Sequence, residues 1–340
     1  LGDVYKRQIS DDEKFREIFQ TVVDTFIDAK EYGSILNVPD ADYNYALSVI
    51  DDFEQSVPVD FEAQILRGKT DDIRALVNQA KLMAKKYTAV VTNPPYMNKF
   101  DAKLKKYIAD NFAEYKGDLF SVFMYHNFSF CTPDGYSAFM TPLVWMFIKT
   151  YEPLRNYILS FKHLSTLIQF EYSAFEEATV PICTFVLRND NDINKSLCFR
   201  LSDFKGGMEV QKQKVLEALA DKSCGYYYEA DQRNFAKIPK KRLGYWISDK
   251  MIDQFSKKSV SDYADARRGL QTGNSERFIR KWYEVSTTKA ALQIDDKTTQ
   301  QTAKWFLFNS GGVFRRWYGN IIDVVNWENS GREIKSTGKA

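Results

Sequence analysis

The sequence is poor in metal-binding and redox-capable side chains: its 340 residues include two histidines, His126 and His163, and four cysteines, Cys131, Cys183, Cys198 and Cys224. No two cysteines stand at C-x-x-C spacing, which argues against a zinc site or a disulfide framework and leaves buried or incidental thiols as the expectation. Glycine is sparse as well, with 16 residues and no Gly-x-Gly upstream of Asn93. The triplet Gly68-Lys69-Thr70 ends like a phosphate-binding loop, yet Ala63 stands where the first glycine of that loop is needed, so a Walker-type nucleotide site is excluded. Pro133-Asp134 has no Glu-x-Lys following at useful distance, and no nuclease centre is visible. No apolar run approaches the roughly 18 residues of a membrane-spanning helix. A soluble, intracellular chain is the expectation.

What is present is enough for a sizeable core. At 44% hydrophobic over 340 residues, the chain has the length and composition of about two domains. The net charge of +2 conceals an asymmetry. Residues 231–340 carry 21 Lys+Arg against 12 Asp+Glu, whereas the remainder carries 26 against 33. A basic carboxyl-terminal part suits phosphate contacts, although a solvated basic surface has the same composition.

Residues 10 to about 86 read as mostly helical. Phe15, Ile18, Phe19, Val22 and Phe26 recur at helical spacing, a second helix is predicted near Tyr43–Phe53, and a third over Asp71–Lys86. From Tyr87 to about Arg188, strands predicted at 87–92, 136–141, 164–171 and 181–187 alternate with helices near 102–114, 118–130 and 151–161. That alternation reads as the back half of a doubly wound α/β sheet. Ser196–Leu201 reads as a further strand. Beyond about residue 240, short aromatic-rich segments separated by Gly, Asn and Ser replace the alternation.

The segment with most chemical content is Asn93-Pro94-Pro95-Tyr96, which closes the apolar strand Tyr87–Thr92. Two prolines fix φ near about −65° and remove two backbone donors, so the chain must leave the sheet there. Ligands of open α/β sheets sit beyond the carboxyl ends of strands, which puts the Asn93 amide and the Tyr96 ring in the expected crevice. An ordinary strand-ending turn fits the same four letters. The tetrapeptide also suits one chemistry. The exocyclic amine of adenine is a poor nucleophile, and an acceptor pair made of the Asn93 side-chain oxygen and the Pro94 carbonyl would hold both its hydrogens and free its lone pair. Tyr96 would stack on a base rotated out of the duplex.

Asn-Pro-Pro-Tyr after an apolar strand resembles the catalytic motif of the amino-directed DNA methyltransferases that make N6-methyladenine. Lys116–Phe123, Asp134–Trp145 and Glu171–Leu187 resemble later segments of that family in the same order. Phe26–Leu36 and Lys304–Asn320 are similar to stretches of the PglX-type methyltransferases of BREX phage-defence systems, and Gly269–Asn274 to single-chain restriction-methylation enzymes. The likeness spans most of residues 15–335.

The resemblance implies a partial Rossmann-like methyltransferase sheet over 87–205, preceded by a helical segment over 9–86 and followed by the start of a target-recognition domain over 240–340. It implies S-adenosylmethionine as methyl donor, no metal, double-stranded DNA as substrate, other defence proteins as partners and a bacterial or archaeal cytoplasm. Asn93, Pro94, Pro95 and Tyr96 take the catalytic positions. Phe175 matches an aromatic that stacks on the flipped adenine, and Asp118 and Phe120 fall on the expected cofactor side. Gln271, Thr272, Asn274, Arg315 and Arg316 are the expected DNA contacts. The family's glycine-rich cofactor loop and its ribose-binding acid have no counterpart before Asn93. The chain is therefore expected to be an internal piece of a longer protein, unable to methylate alone, with Leu1–Gln8 resembling translated sequencing adapter. Two other readings remain open: the methyltransferase part of a restriction-methylation enzyme, and a recognition component without turnover.

Overall fold

A computed structural model describes residues 12–56, 61–172, 174, 180–190, 195–265, 269–292 and 302–337, the side chains of 61–68 excepted. The chain forms two compact units, divided between Lys258 and Ser259.

The first unit begins with three long helices, α1 (Glu13–Phe26), α2 (Tyr43–Ser56) and α3 (Phe61–Ala84), with a single helical turn at Ala29–Tyr32 between the first two. Asp12 starts α1 by accepting a hydrogen bond from the Phe15 amide at 2.9 Å. The sequence stripe becomes the packing face: Phe15, Ile18, Phe19 and Val22 of α1 meet Ala46 and Ile50 of α2 and Ile73, Val77 and Ala80 of α3, all buried. Arg74 of α3 adds ion pairs to Asp51 and Glu54 of α2.

Six strands follow: β1 (Tyr87–Thr92), β2 (Cys131–Pro142), β3 (His163–Gln169), β4 (Ile182–Arg188), β5 (Lys195–Arg200) and β6 (Tyr227–Asp231). Their order in the sheet is β1-β2-β4-β3-β5-β6. β1 and β2 run parallel, in register from Ala89↔Tyr136 to Thr92↔Phe139. Parallel neighbours require a crossover. Helices α4 (Ala102–Asn111) and α5 (Leu119–His126) lie in that connection, and α6 (Glu152–Phe161) leads from β2 to β3. β4 is antiparallel to both β2 and β3, and β6 is antiparallel to β5, so the sheet is mixed. Trp145, Phe139, Phe185, Leu164, Leu167 and Leu187 form its main core.

Two sequence boundaries shift. β2 starts at Cys131, five residues before its predicted beginning, because Cys131 pairs with Tyr87 despite Pro133 and Gly135. Residues 240–258, grouped by pattern with the later segment, pack in the first unit. Buried Arg155 donates to the carbonyls of Trp145, Ile148 and Lys240, Leu243 is fully buried in the main core, and the Tyr245 hydroxyl donates to Gln169 at 2.9 Å.

The second unit holds a four-stranded sheet of order β7-β10-β9-β8, with β7 (Ile279–Lys281), β8 (Ala290–Ala291), β9 (Trp305–Phe308) and β10 (Asp323–Asn326). β10 is antiparallel to β7 and β9, and Phe278, Val325 and Ile334 form a small core. None of the described helices is long and apolar enough to cross a membrane.

Candidate active site

The prolines act as their chemistry requires. β1 ends at Thr92, Pro94 is buried as the anchor of the turn, and Asn93, Pro95 and Tyr96 are exposed. The Tyr96 ring folds back on its own loop, its hydroxyl 3.0 Å from Asn93 Oδ1 and 3.2 Å from the Met140 carbonyl oxygen of β2. Either acceptor can take the phenolic proton. A carbonyl oxygen has two lone pairs, so Asn93 Oδ1 retains one for an incoming N–H donor while it accepts from Tyr96. Burial pushes the Tyr96 phenol up from its ordinary value, so it remains a donor at neutral pH. Tyr96 as a whole is 38% exposed, which leaves surface for a stacking partner.

The loop is pinned just beyond Tyr96. The Met97 amide donates to Asp118 Oδ1 at 2.9 Å, and the Leu119 amide donates to the Met97 carbonyl at 2.8 Å. Asp118 also caps α5, accepting from the Phe120 amide at 3.3 Å, with Ser121 closing a capping box. Burial pushes the Asp118 carboxyl up, against the opposing pull of the Phe120, Met97 and Leu119 amides. Phe120, 1% exposed, meets the Tyr96 ring edge-on at 6.5 Å and leans on Tyr151 at 5.3 Å. Gly117 precedes this arrangement because a Cβ there would lie 2.9 Å from Thr150 Cγ2 and 3.1 Å from Tyr151 Cε1.

Asp118 and Phe120, expected on the cofactor side, are both buried against the loop, where Asp118 accepts from the Met97 amide and Phe120 meets the Tyr96 ring. Sequence reasoning missed the Met140 carbonyl and Tyr151. It also missed the clamp at Met97, although Asp118-x-x-Ser121 ahead of an apolar run is a legible helix-start signal. Phe175 lies outside the described residues.

β1 occupies an edge of the sheet, with Thr88, Ala89 and Val91 exposed beside the loop. The described residues there include no glycine-rich turn and no acid placed for a ribose. Among the described residues, no cluster of three or more His, Cys, Asp or Glu is placed to hold a metal ion.

The remaining candidates lie in the second unit. Gln271 and Thr272 line an open cavity of about 700 Å³ together with Leu270, Ser275, Phe308 and Ser310. Asn274 caps the short helix Ser275–Phe278, its Oδ1 accepting from the Arg277 amide at 3.0 Å. Arg315 and Arg316 stand exposed on the hairpin between β9 and β10.

Residues 28–175 match the family model described as the Eco57I restriction-modification methylase. The chain is 34% identical over 278 residues to the adenine-specific methyltransferase PglX of Lacticaseibacillus casei (strain Zhang), an alignment covering 78% of this chain and 22% of that protein. It is 30% identical over 346 aligned positions to the adenine-specific methyltransferase BrxX of Escherichia coli O9:H4 (strain HS), covering 98% of this chain and 27% of the relative. Over most of its length the chain is similar to these two adenine-specific methyltransferases, and it spans about a quarter of their length. A solved methyltransferase subunit of a type I restriction-modification system from Streptococcus thermophilus is 18% identical, with a TM-score of 0.38 over 46% of this chain and 37% of that one.

Proposed function

We propose that the protein carrying this sequence methylates the N6 amino group of adenine in DNA as part of a bacterial or archaeal phage-defence system, in the cytoplasm, and that Asn93–Tyr96 is the acceptor half of its site. The observation that carries this reading is the loop geometry: an exposed carboxamide oxygen with a lone pair to spare, held 3.0 Å from the hydroxyl of a partly exposed tyrosine. In that arrangement the extruded adenine stacks on the Tyr96 ring, with Phe175 as the second aromatic. Asn93 Oδ1 and the Pro94 carbonyl accept one amino hydrogen each, which directs the nitrogen lone pair away from the ring. Pro95 keeps the turn rigid. Asp118 and Phe120 hold the loop at the height the base requires.

S-adenosylmethionine would supply an electrophilic methyl group when bound. The amino nitrogen would form its new bond to the methyl carbon as the S–CH3 bond breaks and the thioether product leaves, and the surplus proton on nitrogen would pass to solvent water, without a metal or an ionised side-chain base on the acceptor side. Residues 87–205 belong, in this reading, to the methyltransferase sheet, and the segment from about residue 240 onward begins target recognition. Gln271, Thr272, Asn274, Arg315 and Arg316 are its DNA contacts, phosphate contact before base readout. The test is product identity. Duplex DNA treated with the protein and labelled S-adenosylmethionine, then digested to nucleosides, should yield N6-methyladenine, and methylcytosine alone would contradict the assignment.

A further inference from the structure

The hairpin joining β9 to β10 runs from Asn309 to Ile322 and exposes an unusual amount of aromatic surface. Phe314 is 87% exposed, Trp317 95% and Tyr318 81%. Single exposed aromatics are common, but three within five residues make a patch that needs a partner.

The loop is built to present them. Asn320 Nδ2 donates to the Val313 carbonyl at 3.0 Å and closes the turn. Gly312 lets that side chain approach, since a Cβ there would sit 2.8 Å from Asn320 Cγ. Gly319, at φ +152, lies against the Arg315 stem, where a Cβ would be 2.9 Å from Arg315 Cγ. Trp317 itself has φ 77, a left-handed conformation costly for a bulky L-residue. A strained tryptophan held almost wholly in solvent is an arrangement to be explained by what it meets.

Charge identifies the partner. Residues 309–322 contain two arginines and no Asp or Glu, and Arg315-Arg316 sits between Phe314 and Trp317. A pair of guanidinium groups flanked by flat rings suits a polyanion whose charged backbone borders stacked bases. We propose that this loop inserts into duplex DNA, with Trp317 and Phe314 entering an unstacked base step while Arg315 and Arg316 hold the flanking phosphates. The inference rests on the adenine-methylation reading, because extruding a base leaves a gap in the stack that an aromatic wedge would fill.

The test uses the protein carrying this sequence and two fluorescein-labelled 30-bp duplexes, one intact and one with a single central abasic site that provides a ready-made gap. The parent should prefer the abasic duplex by about tenfold or more, in line with the worth of base–aromatic stacking. F314A/W317A should lose that preference while keeping its salt dependence, and W317F should restore most of it. R315A/R316A should weaken both duplexes together and make the log-affinity slope against log salt shallower by about two. Equal affinity of F314A/W317A and parent for both duplexes would overturn the insertion, even if methylation and DNA binding stand. A lowered melting temperature of F314A/W317A with unchanged DNA binding would likewise overturn it, assigning the patch to a protein contact. An intact protein that binds neither duplex would remove the DNA reading of this loop and of the second unit together.

Discussion

Replacing Asp118 with alanine should loosen the Asn93–Met97 loop from below without touching any group that meets the base. One carboxylate oxygen of Asp118 accepts from the Met97 and Phe120 amides, and the residue is 8% exposed, so water replaces it poorly. Hydrogen bonds to charged groups are worth about 1.5–3 kcal/mol each, and a lost helix cap about 1 kcal/mol. Both bonds share one oxygen, and the raised carboxyl pKa shows that burial of the charge offsets part of their gain. A net destabilisation of about 2 kcal/mol is expected for D118A. D118N keeps an acceptor oxygen and sheds the buried charge, so it should be as stable as the parent or slightly more stable at neutral pH. Urea unfolding measures these differences. Methylation kinetics then separates support from mere folding: below the unfolding transition, D118A should lower kcat by about tenfold or more with little change in KM for DNA, and D118N should restore it. A D118A protein with parental kcat would refute the clamp, whatever its stability.

Gly117→Ala should cost about 1–3 kcal/mol by overpacking against Thr150 and Tyr151, read as a fall in melting temperature. Burial drives the His126 imidazole from 6.5 down to about 4. A histidine depressed in the folded state takes up its proton more readily when unfolded, so its contribution is present above about pH 6.5 and is lost as the pH falls toward 4, up to about 3 kcal/mol in all. H126Q should flatten that part of the stability–pH curve in urea titrations at pH 7 and pH 4.5, and an unchanged slope would mean the imidazole is not the group responsible.

The strands were legible where local chemistry ends them. β1 keeps its predicted limits because two prolines follow Thr92, and β3, β4 and β5 fall within a residue or two of their apolar runs. β2 begins early because the Tyr87–Cys131 pairing is set across 44 residues of sequence, which overrides local turn signals at Pro133 and Gly135. The shift near residue 240 was hidden for the same reason, since Lys240 is fixed by Arg155 and Tyr245 by Gln169, neither of them a neighbour in sequence. Within the site, Asn93 and Tyr96 were visible as residue types after a strand. The bonds from Tyr96 to Met140 and from Met97 to Asp118 were not, because they depend on how β2 and α5 return to the end of β1.

The most direct test of the central claim is label transfer from methyl-labelled S-adenosylmethionine to duplex DNA by the parent protein, N93A and Y96A, each checked by melting temperature. Asn93 and Tyr96 are both exposed at the loop surface, so both variants should fold as the parent does. The account predicts that N93A loses methylation and that Y96A loses most of it. Parental methylation in both variants would contradict it.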